Sequence, residues 1–372
     1  MATSSAKPKI LPLTSARFFA ALYVMLYHTL PRGAVPNQWQ DWVNKFIGMG
    51  YISVSFFFML SGFILAVVYL KENRPVNKRR FFVARFARIY PLYLVAMLLD
   101  TPHFLHVGLT LQHRPSWQMA AEFLATGGLV QAWLNLRSLN PPGWSLSTEA
   151  FFYISFPFLG VALWRMRTRL AIAASILIYG LGILLVLAME RLRGVGELSY
   201  QPVPHLFIFM LGVLLAKLFV WIGESPMRSQ RMEWAAPWML CGCLAGLLMI
   251  PMTSIARDMP LLQHGLLAPI FAVAILAFAS GNRMISALFS AKWMVILGEA
   301  SFALYLLHYP VHSILRRQIE DLGTPMFLLY LVGTVGLSVM SYYWLEIPAR
   351  RWILAKEHVR SMETEVTSAL SQ

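Results

Sequence analysis

YISVSFFFMLSGFILAVVYL, residues 51 to 70, runs for twenty residues without a charged side chain. As a helix rising about 1.5 Å per residue it would be about 30 Å long, the thickness of the hydrocarbon core of a bilayer. Stretches of the same kind recur on either side of it. Leu13–Leu30 precedes it, and Phe81–Leu99, Ala150–Trp164, Leu170–Met189, Val203–Trp221, Trp234–Ile250, Leu261–Ala279, Trp293–Tyr309 and Met326–Leu345 follow. The 372 residues are 58% hydrophobic and 13% charged, against about 25% charged in soluble domains. The pattern predicts an all-α fold, a polytopic membrane helix bundle with about ten transmembrane helices. It leaves no room for a separate nucleotide-binding or hydrolase domain, because the longest polar stretch between spans, Asp100 to Glu149, is about fifty residues.

The net charge of +14 reads as the lysine and arginine bias of cytoplasmic loops rather than as a nucleic-acid surface. With the N-terminus inside, the basic stretches Lys71–Arg88, Arg165–Arg169 and Arg350–Arg360 all fall on the cytoplasmic face, so both termini are expected there. A further candidate, Met119 to Leu136, contains Glu122, Gly127, Gly128, Gln131 and Asn135. If it crossed, Arg165–Arg169 would land outside, so it is expected as a re-entrant or interfacial helix on the outer face. The first run follows Lys7 and Lys9 as a signal peptide would, but it is long and carries Arg17 and His28, which favours a retained span. Residues 1–355 form the transmembrane domain and 356–372 a polar cytoplasmic tail. Cys241 and Cys243 sit about 200° apart on one helix and cannot pair with each other. The spacing of His103, His106 and His113 is too loose for a metal site, and none is expected.

Ionisable groups inside spans are costly, which makes them candidates for function. Arg17 and His28 are eleven residues apart, only about 20° beyond three full turns, so they share one helix face about 16 Å apart along the axis. Arg85 and Arg88 share a face at i, i+3 within RRFFVARFARIYPLY, residues 79 to 93. Their guanidinium forks suit phosphates, such as those of coenzyme A. In PPGWSLSTEAFFYISFP, residues 141 to 157, Ser147 is placed to cap the helix that carries Glu149, and Glu149 and Tyr153 share a face. In LGEASFALYLLHYPVH, residues 297 to 312, Glu299 lies near the inner end of a span, while Tyr305 and His308 share a face toward its outer end.

These segments, together with VSFFFMLSGFIL (54 to 65), HLFIFMLGVLLA (205 to 216) and LSVMSYYWLEIPARRW (337 to 352), resemble the acyltransferase family 3 membrane proteins, the O-acyltransferases of bacterial surface glycans. The resemblance runs nearly end to end. It implies a ten- or eleven-helix bundle in the bacterial inner membrane, an acyl-CoA donor, with acetyl-CoA expected, on the cytoplasmic side, and transfer to a sugar hydroxyl. The family's arginine and histidine separated by ten intervening residues match Arg17 and His28, its paired arginines match Arg85 and Arg88, and its Trp-Ser-Leu and glutamate match Trp144, Ser145, Leu146 and Glu149. Thr14, Ser15 and Ala16 stand where the family commonly has Asp-Gly-Leu, and the extracytoplasmic hydrolase-like domain of longer members has no expected counterpart.

The expected mechanism has His28 as base, Glu149 orienting it, and Arg17 with Arg85 and Arg88 holding the donor. Trp144, Ser147, Tyr153 and His308 are candidate substrate-binding residues. The expected partners are acyl-CoA, a glycan or lipid-linked sugar acceptor, membrane lipids and polysaccharide-assembly proteins, with no nucleic acid. The rival expectations are a transporter of lipid-linked sugars and a non-catalytic partner in polysaccharide assembly.

Overall fold

The computed structural model describes residues 10–30, 37–70, 76–193, 200–318 and 323–370, and among these there is no strand. The chain opens with α1 (Leu11–Thr29), the short amphipathic α2 (Asn37–Gly48) and α3 (Ile52–Tyr69). Then comes α4 (Lys78–His106), started by the Asn77 side chain accepting from the Arg80 amide. The stretch expected to be re-entrant yields only α5 (Ser116–Gly127), too short to cross a bilayer, followed by an irregular return to Asn140.

A single turn at Pro141–Gly143 leads into α6 (Trp144–Ser155). A π-helical turn around Pro157 separates α6 from α7 (Val161–Arg165). There follow α8 (Thr168–Arg193), α9 (Pro202–Gly223), α10 (Pro226–Met249), α11 (Met259–Gln263), α12 (Ala268–Ala279) and α13 (Arg283–Phe289). The last four helices are α14 (Lys292–Glu299), α15 (Ser301–Gln318), α16 (Thr324–Ser341) and α17 (Ile347–Leu370). A π-helical turn at Tyr342–Glu346 joins α16 to α17, and α17 passes residue 355 without a break into the segment expected to be a polar tail.

Among the described residues eight helical segments are long and apolar enough to cross a bilayer, or nine if α14 and α15, which meet at 55°, count as one span. The tenth expected span is α1, whose hydropathy falls below the others because it carries Arg17 and His28. Neighbouring protein takes the place of lipid around it, since α1 packs on α3, α12, α14 and α15. The chain is a multi-pass membrane protein.

The bundle is organised around α3, which is apolar on every side and buried from Ile52 to Val67 on most of its circumference. Lipid tails are as apolar as leucine, so close packing rather than water exclusion must hold helices together here. The contact between α3 and α9 shows how: a Cβ on Gly62 would lie 2.2 Å from the Phe209 carbonyl oxygen, and one on Gly212 would lie 2.0 Å from that of Met59. Backbone rests on backbone at both points. Gly298 does the same for α14 against α1, where a Cβ would come within 2.1 Å of the Thr14 carbonyl oxygen.

Candidate active site

A cavity of about 290 Å³ lies between α1, α3, α4, α6, α14, α15 and α17. Arg17, Arg85, Arg88 and Arg350 line it with Glu149 and Glu299, so four guanidiniums face two carboxylates. Its lining on α3 extends from Leu65 to Val54, eleven residues or about 16 Å of depth. The charged groups gather at one end. The other end is walled by Val54, Phe57, Phe58, Leu146, Ser145 and Tyr305.

Arg85 lies against two aromatic rings, its guanidinium carbon 5.7 Å from the Tyr69 ring centre and 5.9 Å from that of Tyr153. Arg88 lies 5.8 Å from the Phe302 ring centre and 3.6 Å from the buried carboxylate of Glu346. Arg17 is within the field of Arg88, Glu299, Glu346 and Glu149. Glu149 accepts hydrogen bonds on one oxygen from the Ser61 hydroxyl and from the Tyr153 hydroxyl, each 2.8 Å long. The expected residues Arg17, Arg85, Arg88, Glu149 and Tyr153 are thus brought together in one chamber.

His28 and His308 form a second group beyond the aromatic wall. Their rings stack at 16° with centres 5.2 Å apart, and His28 Nδ1 lies 3.0 Å from His308 Nε2. His308 Nδ1 lies 3.1 Å from the Leu304 carbonyl oxygen, which can only accept, so the proton of a neutral His308 sits on Nδ1. Its Nε2 is then an acceptor, and His28 must donate from Nδ1. That leaves the lone pair of a neutral His28 on Nε2. Tyr305 stands between the two groups: its ring lines the cavity and lies edge-on to His308 at 6.2 Å. Its hydroxyl is 2.7 Å from the Ser145 hydroxyl and 3.1 Å from the Pro142 carbonyl oxygen.

The expected meeting of Glu149 with His28 does not occur. α6 begins at Trp144, so Glu149 is five residues, about 7.5 Å, inside its helix. That depth carries it to the arginines, and His308 takes the place beside His28. Ser147 also differs from its expected role. It lies within α6 rather than capping it, is fully buried, and donates to the Leu129 carbonyl at 2.8 Å while accepting from the Ala132 amide at 3.2 Å. With Trp133, whose indole N–H donates to the Ser147 carbonyl at 2.8 Å, it pins the return after α5. Its hydroxyl is engaged by backbone and is not presented to a ligand. Trp144 lies outside the cavity lining, packed on Tyr200 and His205.

Ser61, Glu346 and Arg350 were not singled out from sequence. Ser61 is one hydroxyl in an apolar run, but Glu346 and Arg350 are charges next to a span in LEIPARRW, the same signal that exposed Arg85 and Arg88.

The family model for the acyltransferase domain, Acyl_transf_3, matches residues 13–343, which takes in both groups of side chains except Glu346 and Arg350. The chain belongs to acyltransferase family 3. It is similar to the acyltransferase MdmB of Streptomyces mycarofaciens, with 30% identity over 80% of this chain and 78% of that one. It is also similar to the O-acetyltransferase OatA of Staphylococcus aureus, with 22% identity over 92% of this chain but only 58% of that one. No solved structure matches. This acyltransferase family 3 protein is a membrane O-acyltransferase.

Proposed function

We propose that the chain transfers an acetyl group from acetyl-CoA, entering from the cytoplasm, to a sugar hydroxyl of a surface polysaccharide or its lipid-linked precursor at the bacterial inner membrane. The observation that carries this reading is the division of labour along α1. Its Arg17 end opens into a chamber with three further guanidiniums, and its His28 end holds an imidazole whose Nδ1 is engaged and whose Nε2 is an acceptor. Guanidiniums bind the phosphates of the donor. The name of the Staphylococcus aureus relative supports acetyl as the group moved. Exopolysaccharide and lipopolysaccharide O-chains are the acceptors that fit the proposal.

In this reading His28 Nε2 takes the proton of the acceptor hydroxyl as its oxygen attacks the thioester carbonyl. The carbon–sulfur bond breaks, coenzyme A leaves as thiolate, and the proton passes from His28 to the sulfur. Arg17, Arg85, Arg88 and Arg350 hold the anionic part of the donor, and the aromatic wall keeps the thioester from water. Glu149, held by Ser61 and Tyr153, sets the charge among the guanidiniums.

Purified protein in lipid nanodiscs, given acetyl-CoA and extracted cell-surface glycan, should release free thiol and acetylate the glycan, and His28→Ala should abolish both. Thiol release at the wild-type rate by the His28→Ala protein would remove His28 from the mechanism. A protein that moves glycan without consuming acetyl-CoA would be a transporter instead.

A further inference from the structure

A second cavity, about 310 Å³, lies apart from the first, in a groove between α8, α9 and α12 that is closed behind by Met59 of α3. Its lining is almost wholly apolar, with Ala171, Ile172 and Ile176 on one side and Leu214, Leu218 and Ala272 on the other. The two hydroxyls in its middle are already committed: Ser175 donates to the Ala171 carbonyl at 2.9 Å and Tyr179 to the Leu266 carbonyl at 3.0 Å. Neither hydroxyl in the middle of the groove has a donor left for a sugar or a peptide, and the aliphatic lining gives water few partners there. It is open at the side, since Ile172 and Ile176 on its rim are 45% and 72% exposed. A flexible hydrocarbon chain from the surrounding bilayer is the occupant that fits both the lining and the lateral opening.

One end of the groove bears charge. Thr168 lines it and starts α8. The turn between α7 and α8 around Thr168 carries Arg165, Arg167 and Arg169, all three exposed. Lys217 of α9 is committed elsewhere, donating to the Trp164 carbonyl at 2.6 Å. Three arginines at the mouth of an apolar groove complement an anion attached to an alkyl chain, as in a membrane lipid headgroup. Successive crossings put this turn at the same end of the bundle as Arg17.

We propose that this groove binds one acyl chain of an anionic phospholipid, with the lipid phosphate on the Arg165–Arg169 turn. The site is independent of the acyl-transfer chamber and does not rest on the function proposed above. It ties α8 to the bundle, because this helix buries little of its surface against protein.

The test uses the purified chain in nanodiscs containing phosphatidylglycerol and phosphatidylcholine, released into the gas phase for native mass spectrometry. Wild type should retain one phosphatidylglycerol in preference to phosphatidylcholine. Arg167→Gln with Arg169→Gln, both on the surface and tolerable to the fold, should cut that preference on the order of tenfold. Ala272→Phe should fill the groove and abolish retention of either lipid while leaving the arginines in place. Equal retention of the two lipids by wild type, or undiminished retention in Ala272→Phe, would each overturn the proposal.

Discussion

His28 and His308 share a hydrogen bond of 3.0 Å between Nδ1 of the first and Nε2 of the second, although 280 residues separate them in sequence. The bond depends on the Leu304 carbonyl, which fixes the proton of His308 on Nδ1 and so makes its Nε2 an acceptor. His308 is wholly buried and cannot turn to seek another partner. It therefore sets the tautomer of His28 much as a carboxylate does in a catalytic triad. Replacing His308 by Phe should keep the stacking volume but lose the acceptor. The expected loss in kcat is on the order of 10²- to 10⁴-fold, with the KM for acetyl-CoA nearly unchanged, and His308→Gln, whose carbonyl can accept, should recover part of it. Steady-state rates at varied donor concentration decide; a change in KM alone would contradict a tautomer-setting role.

If the arginine chamber holds the donor as proposed, it makes an opposite prediction about KM. Arg350 lines it beside Arg85 and Arg88 but belongs to α17, more than two hundred and sixty residues further along the chain. Each charge-assisted contact to a phosphate contributes about 1.5–3 kcal/mol, so Arg350→Gln or Arg85→Gln should weaken coenzyme A binding roughly tenfold or more. Glu346→Gln should act the other way, because it removes the carboxylate 3.6 Å from Arg88 and leaves that guanidinium to the ligand. Titration calorimetry with coenzyme A on the detergent-solubilised protein reads both directions, and identical affinity in all three variants would show that the donor phosphates bind elsewhere.

The crossing of α3 and α9 should be the least tolerant point in the bundle. A side chain at Gly62 or Gly212 meets the facing backbone at 2.2 or 2.0 Å, and backbone cannot step aside as a side-chain tip can. Gly62→Leu or Gly212→Leu should therefore abolish the monodisperse peak in size-exclusion chromatography. Gly333→Ala and Gly336→Ala, where nothing lies within 4 Å of the added carbon, should leave it intact.

Much of this was legible in the chain, and the limits have physical causes. Hydropathy found the helices because the bilayer forces each span to satisfy its own backbone. Charge placed the α5 segment off the crossing path. The arginine positions were readable because a guanidinium near hydrocarbon must have a reason to be there. Partner choice was not readable, since periodicity gives a residue's face and depth only along its own helix. Glu149 and His28 were paired on an estimate of depth that was in error by more than one turn of α6, enough to exchange one neighbour for another. Ser147 has the composition of a cap or a ligand-binding hydroxyl, and only the fold of the α5 return shows that backbone consumes both its donor and its acceptor capacity.

Tyr305 is the remaining test of how the arginine chamber and the histidine pair communicate. Its hydroxyl is tied to Ser145 at 2.7 Å and to the Pro142 carbonyl at 3.1 Å, so the ring is held as a wall between the arginine chamber and the histidine pair. In the proposed reaction a wall in that place would keep a bound thioester from water and from His28 until the acceptor arrives, and transfer would then require the ring to move. Removing the ring should uncouple the reaction rather than simply slow it. Tyr305→Ala is expected to release thiol from acetyl-CoA without any acceptor present, while acetylation of glycan falls. Tyr305→Phe, which keeps the ring but loses both hydrogen bonds, should show a smaller rise in the ratio of hydrolysis to transfer. A thiol assay run with and without acceptor measures that ratio. If Tyr305→Ala lost transfer with no gain in acceptor-free thiol release, the tyrosine would be packing and nothing more, and the arginine chamber and the histidine pair would have to communicate by another route.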